Sequence, residues 1–273
     1  MKTANQKRFE KTFAGLKKKN EAAFVPFVVL GDPDYKASFE IIEALVRGGA
    51  DALELGFAFS DPVAAGPTIQ AADVRALSKG ANTAKNFELI RKIRALHPGL
   101  PISLLVYSNL AYNDPEKFYS ASAAAGVDAV LAADCPPEEA LPLVRAARQH
   151  GISPVFIVSP TTSNQRLPGV LKNCSAYVYL VSLTGITGAR SSLSSAVVPL
   201  IRRVRSKIRL PILVGFGISK PAHVSQVVSA GADGAIVGSA IEKIVESNLN
   251  NRKKMLVQLE NYCRAMKNAT RKG

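Results

Sequence analysis

Short apolar runs alternate with longer stretches of mixed polarity from one end of the chain to the other. The runs are residues 24–30, 52–55, 102–107, 128–133, 154–158, 177–182, 211–215 and 233–237. They are nearly continuous in apolar character, the pattern of strands covered on both faces in a parallel sheet. The intervals place apolar residues at helical spacing, as with Phe39, Ile42, Leu45 and Val46 between Lys36 and Arg47. A further amphipathic stretch, 7–19, precedes the first run and carries Phe9, Phe13 and Leu16 on one side. It predicts an extra helix at the N-terminus.

One module recurs. Gly49-Ala-Asp-Ala-Leu-Glu-Leu-Gly56 is similar to Gly126-Val-Asp-Ala-Val-Leu-Ala-Ala133 and to Gly231-Ala-Asp-Gly-Ala-Ile-Val-Gly238. Each places a helix-ending Gly before an Asp that leads into a strand, so each is one return from helix to parallel strand. Eight such strands with alternating helices predict an α/β fold, a single (β/α)8 TIM barrel with an extra N-terminal helix, as one domain over 1–273. An open doubly wound sheet is the alternative, but no G-x-G-x-x-G follows the first strand.

Composition narrows the class of protein. An apolar fraction of 47% with 21% charged residues supports a large core and excludes global disorder. No run approaches the length of a membrane span. The Lys-rich N-terminus has no apolar segment of the secretory kind, and Cys135, Cys174 and Cys263 are too far apart for metal-like spacing. Both features predict a cytoplasmic protein with reduced thiols. The net charge of +14 arises from clusters such as Lys17-Lys18-Lys19 and Arg252-Lys253-Lys254, without interleaved aromatics. Solvated helix faces explain these better than a nucleic-acid surface.

The candidate chemistry lies at the predicted strand ends. Glu54 is a carboxylate inside the second apolar run, where an acid is costly unless it is paired or opens into a pocket. A structural ion pair is the alternative to a catalytic role. Gly215-Phe-Gly217 after the seventh strand, and Gly238-Ser239 before a short helix after the eighth, suit a phosphate held by backbone N–H groups. A Gly/Thr-rich stretch, Leu183-Thr-Gly-Ile-Thr-Gly-Ala189, supplies a third arm. Asp32, Tyr107, Asn109, Asp134 and Tyr179 are further polar residues at strand ends, each with a capping or packing role as the alternative. No metal site is expected, since His, Cys and carboxylates nowhere cluster at ligand spacing.

Taken together, these motifs resemble the α subunit of tryptophan synthase along nearly the full chain. The resemblance rests on Phe24-Val-Pro-Phe-Val-Val-Leu-Gly-Asp-Pro33, Leu53-Glu-Leu-Gly56, Phe59-Ser-Asp-Pro62 and Gly66-Pro-Thr-Ile-Gln70. It continues through Leu104-Leu-Val-Tyr107, Ala133-Asp134, Thr184-Gly-Ile-Thr-Gly188, Gly215-Phe-Gly-Ile-Ser219 and Gly238-Ser-Ala-Ile241. The resemblance implies a lyase that cleaves indole-3-glycerol phosphate to indole and glyceraldehyde 3-phosphate in tryptophan biosynthesis. It also implies a β-subunit partner in an α2β2 assembly, with pyridoxal phosphate on that partner and no cofactor on this chain. By position, Glu54 would be the acid/base. Gly188, Gly217, Gly238 and Ser239 would hold phosphate. Phe27, Leu105, Leu131, Tyr179 and Phe216 would surround the substrate, and Asp61 would face the partner.

At two positions the chain departs from the family's motif. Ala65 stands where the motif has Asp before Gly-Pro, and Ala58 where it has Pro. Carbon–carbon cleavage calls for one carboxyl group to move protons at carbon and a second near the indole N–H. Alanine supplies no such group, so the expectation is reduced turnover. The alternative is a catalytically silent regulatory subunit that binds a phosphate ligand and activates β. The intact phosphate arms fit either role, whereas Glu54 favours the enzyme.

Overall fold

The computed structural model describes residues 4–181 and 195–271. The chain begins with α1 (Ala4–Lys18), β1 (Ala23–Val29), α2 (Tyr35–Arg47), β2 (Leu53–Gly56), α3 (Pro67–Ser78), α4 (Thr83–Leu96) and β3 (Ile102–Val106). It continues with α5 (Ser108–Tyr112), α6 (Pro115–Ala125), β4 (Ala129–Ala132), α7 (Leu141–Gln149), β5 (Ser153–Pro154), β6 (Ile157–Val158) and α8 (Leu167–Asn173). It ends with β7 (Val178–Val181), α9 (Val197–Arg205), β8 (Ile212–Gly215), α10 (Pro221–Ser229), β9 (Gly234–Val237), α11 (Ser239–Glu246) and α12 (Arg252–Asn268).

All ladders between the strands are parallel. Their order is β5-β4-β3-β2-β1-β9-β8-β7-β6, so the two outermost strands are neighbours along the chain. The predicted fifth strand, 154–158, is thus seen as two short pieces. Ser153 and Val155 donate to the carbonyls of Asp128 and Val130 on one side, while the carbonyls of Pro154 and Phe156 accept from Ser175 and Tyr179 on the other. Pro154 has no N–H to return to the β7 side, which thins that ladder. The pieces carry one barrel strand, and through it the sheet closes as an α/β TIM barrel.

Strand side chains alternate between two cores. Phe24, Val28, Leu53, Leu55, Ile102 and Leu104 pack outward under the helices. Ala23, Val25, Phe27 and Val29 of β1 point inward with Leu131, Tyr177, Tyr179, Leu213 and Ile236. The predicted N-terminal helix is α1, and it packs into this inner cluster through Phe9 and Leu16. The Phe9 ring lies 5.3 Å from that of Tyr177. Arg8 ties the helix down with a 2.7 Å ion pair to Asp128, which also pairs with Arg94 at 2.9 Å and accepts the Ile102 N–H at 2.7 Å. Asp128 is fully buried, so its three partners are what make a charge tolerable there.

Candidate active site

A pocket opens at the C-terminal ends of the strands, with an empty volume of about 930 Å³ including its open mouth. Such strand ends are where barrels of this kind place their chemistry. Phe27, Leu105, Tyr179 and Phe216 wall the pocket, and Glu54, Gly217, Gly238 and Ser239 line it.

Glu54 reaches the pocket because β2 alternates. Leu53 and Leu55 face the outer core, so Glu54 faces inward, in register with Phe27 of β1 and Ser103 of β3. It is 1% exposed. The Tyr177 hydroxyl donates to Ser103 Oγ at 2.8 Å and stands 3.4 Å from Glu54 Oε1. Glu54 Oε2 has no hydrogen-bond partner among the described residues. Burial therefore lifts the Glu54 pKa from its ordinary 4.5 to about 8, against a smaller downward pull from Tyr177. At neutral pH the group is a carboxylic acid with a proton to give. Among the described residues no cation pairs with it, which is not what the alternative of a structural ion pair would show.

Three glycines leave room for the rings. A Cβ on Gly56 would lie 2.6 Å from Phe27 Cζ, one on Gly238 would lie 2.9 Å from Phe27 Cδ1, and one on Gly215 would collide with the Tyr179 hydroxyl. After β8 the backbone takes positive φ twice, at Phe216 (68°) and Gly217 (74°). The first is a strained conformation for a residue with a side chain, of the kind that persists at binding sites. Opposite this turn α11 begins at Ser239 with Gly238 as its N-cap. The N–H groups of its first turn have no intrahelical acceptor, and the dipole end favours an anion. Gly188, with the whole arm 183–189, lies outside the described residues.

Several expected residues lie elsewhere. Leu131 is 1% exposed and packs in the inner cluster with Phe27 and Tyr179, beside the pocket residue Leu105 in the ladder. Asp32 makes a bidentate pair with Arg75 at 2.8 and 2.7 Å. Asp134 accepts from the backbone and hydroxyl of Ser108 at the start of α5. Tyr107 does line the pocket, and its hydroxyl accepts the Ala64 N–H at 3.1 Å. Asp61 is exposed on the loop after β2 and accepts from Ser60 Oγ at 2.9 Å.

Ala65 lines the pocket without contributing a polar side-chain atom. Asp73, which the sequence reading passed over, lines it as well and is 5% exposed. It lies on α3 four residues after Ile69, another pocket residue. The signal was a carboxylate on the stripe of small and apolar residues, Ile69, Ala72 and Ala76, by which this helix faces inward. Burial lifts the Asp73 pKa to about 7, partly offset by the Phe59 N–H, while nearby Asp32 adds to the rise.

The closed barrel thus brings a dry acid and a glycine turn facing a helix start into one pocket at the strand ends. Comparison with known proteins makes the assignment specific. The family model for the tryptophan synthase alpha chain matches residues 13–271. The tryptophan synthase alpha chain of Methanothermobacter thermautotrophicus is 50% identical over 252 residues, covering 92% of this chain and 93% of its own. A tryptophan synthase structure from Mycobacterium tuberculosis superposes with a TM-score of 0.89 at 30% identity, covering 97% of this chain and 99% of that one. A Pyrococcus furiosus structure, described as a tryptophan synthase α2β2 complex, gives 0.83 at 33% identity, over 90% of this chain and 98% of that one. The chain belongs to the tryptophan synthase alpha chain family.

Proposed function

We propose that the chain is a lyase that cleaves indole-3-glycerol phosphate to indole and glyceraldehyde 3-phosphate. The observation that carries this reading is Glu54: an acid held dry and protonated, with one free oxygen, among the apolar walls of a pocket at the strand ends. Phe27, Leu105, Tyr179 and Phe216 offer flat and aliphatic surface suited to an indole. The turn at Gly217 and the start of α11 at Ser239 suit the phosphate end. Glu54 would protonate the indole ring at C3 and then take the proton of the glycerol hydroxyl next to the breaking bond. Burial serves this role, because an acid tuned near the working pH gives and takes a proton with comparable ease.

A β subunit is the partner this reading implies, with pyridoxal phosphate as that partner's cofactor. The family assignment and the α2β2 description of the Pyrococcus furiosus relative support it. Val63 at 78% exposure and Leu141 at 54% leave apolar surface on segments following β2 and β4, the same end as the pocket. Among the described residues no helix is long and apolar enough to cross a membrane.

Ala65 favours a second reading, a silent subunit that binds phosphate ligand and activates β without turnover. The deciding experiment measures indole release from indole-3-glycerol phosphate, with and without a β subunit, for the wild type and Glu54→Gln. The lyase reading expects release by the wild type and its loss in the variant. No release under either condition would establish the silent subunit instead.

A further inference from the structure

We propose that Asp73 is the second carboxylate of this pocket, facing the indole N–H in place of the acid that Ala65 does not supply. The proposal rests on the lyase reading and deepens it. Its basis is position. Glu54 enters the pocket from β2 and Asp73 from α3, so the two acids come from different elements into one cavity. Asp73 shares its wall with Ala65 and Ile69. Tyr107 links the two ends of that wall. Its hydroxyl accepts the Ala64 N–H at 3.1 Å, and its pKa is raised by burial first and by the charge of Asp73 among other causes. Asp73 itself accepts the Phe59 N–H, so a carboxylate on α3 is held against the loop in which the alanine stands.

The chemistry needs one group of each kind. In the first step the Glu54 acid gives its proton to C3 of the indole, and the Asp73 carboxylate takes the N–H proton. The ring electrons shift so that C2 and N are doubly bonded. In the second step the Glu54 carboxylate takes the hydroxyl proton, the carbonyl of glyceraldehyde 3-phosphate forms, and the carbon–carbon bond breaks. Its electron pair restores the C2–C3 double bond, and the nitrogen recovers its proton from Asp73. Both carboxyl groups end as they began, and no other reactant is required.

The electrostatics agree with this division. Glu54 holds its proton up to about pH 8 and Asp73 loses its own above about pH 7. Burial thus raises both carboxyls toward neutral pH, where each can exchange a proton, as in other sites where the environment tunes carboxyl groups for proton transfer. The titratable groups facing Asp73 are Asp32, whose charge is offset by the bidentate Arg75, and Tyr107, which is neutral in this range.

A structural role for Asp73, holding the Phe59 N–H and with it the loop after β2, predicts a different outcome. Asn keeps an acceptor for that N–H and cannot shuttle a proton. The experiment is therefore Asp73→Asn, Ala65→Asp and their double variant, assayed for indole release with β present. Binding of a non-cleavable indolylalkyl phosphate is measured in parallel. Asp73→Asn is expected to lower kcat by about 10²–10⁴ with analogue affinity within about threefold. It should also remove the acid limb of the pH–rate profile. Adding Ala65→Asp should restore at least tenfold of the loss. An Asp73→Asn variant with near wild-type kcat overturns the proposal and leaves the lyase reading standing, as does joint loss of turnover and analogue binding. A wild type without any release overturns both.

Discussion

Replacing Glu54 with Gln should make the protein more stable, and by an amount that grows with pH. The neutral amide matches the protonated acid in size but cannot ionise. In the folded chain the Glu54 pKa is raised from 4.5 to about 8, so between these values the fold binds a proton that the unfolded chain has released. Over that window stability must fall as pH rises, by about 1.4 kcal/mol per unit. Below pH 4.5 both states are protonated and Glu and Gln are nearly equivalent. Above pH 8 the wild type carries the full penalty of a buried carboxylate, about 5 kcal/mol on this reckoning. Urea unfolding of both proteins at intervals from pH 4.5 to 8.5 reads the difference directly. A gap that stays constant from pH 5 to 8 would refute the argument, because it would mean that Glu54 ionises as readily in the fold as in the unfolded chain.

Three further outcomes follow from the same geometry. Tyr177→Phe removes the hydroxyl that favours the Glu54 carboxylate, so the alkaline limb of kcat/KM should move upward. At 3.4 Å the contact is long, and a shift of about one pH unit, worth about 1.4 kcal/mol, is expected; an unmoved limb would remove Tyr177 from the account. Asp128→Ala leaves Arg94 and Arg8 without their buried partner and should cost about 3–5 kcal/mol. That lowers Tm by roughly 10 °C in calorimetry, and a change under 2 °C would contradict it. Gly238→Ala brings a methyl group to 2.9 Å from the Phe27 ring. The overpacking should weaken binding of a phosphate-bearing ligand by about 1–3 kcal/mol, measured by titration calorimetry, with unchanged affinity as the contrary result.

Much of the fold was legible because a buried parallel strand has little freedom in composition. Residues 24–30 and 211–215 can scarcely be read otherwise, and β1 and β8 lie there within a residue or so. The fifth strand was harder, since Pro154 removes a donor from a run that hydrophobicity alone marks as continuous. Glu54 stood out because a charge inside an apolar strand is a local contradiction. Asp73 did not, because on a helix a single acid reads as part of the solvated face until packing shows which side is turned inward. For Leu131, alternation along β4 correctly turns the side chain into the barrel, while its depth along the axis is set by the stagger of neighbouring strands, which no local pattern carries. The Tyr177–Glu54 contact joins residues 123 positions apart, and no local pattern announces it.

The α1 helix gives the buried acid Glu54 a dependence on a distant part of the chain. Phe9 lies against Tyr177, and Tyr177 lies against Glu54, so α1 acts as a stopper beneath the pocket. Withdrawing that stopper would admit water to the underside of the carboxyl group while leaving every pocket wall in place. The acid would then drift back toward the strength of an ordinary glutamate and be left without its proton at neutral pH.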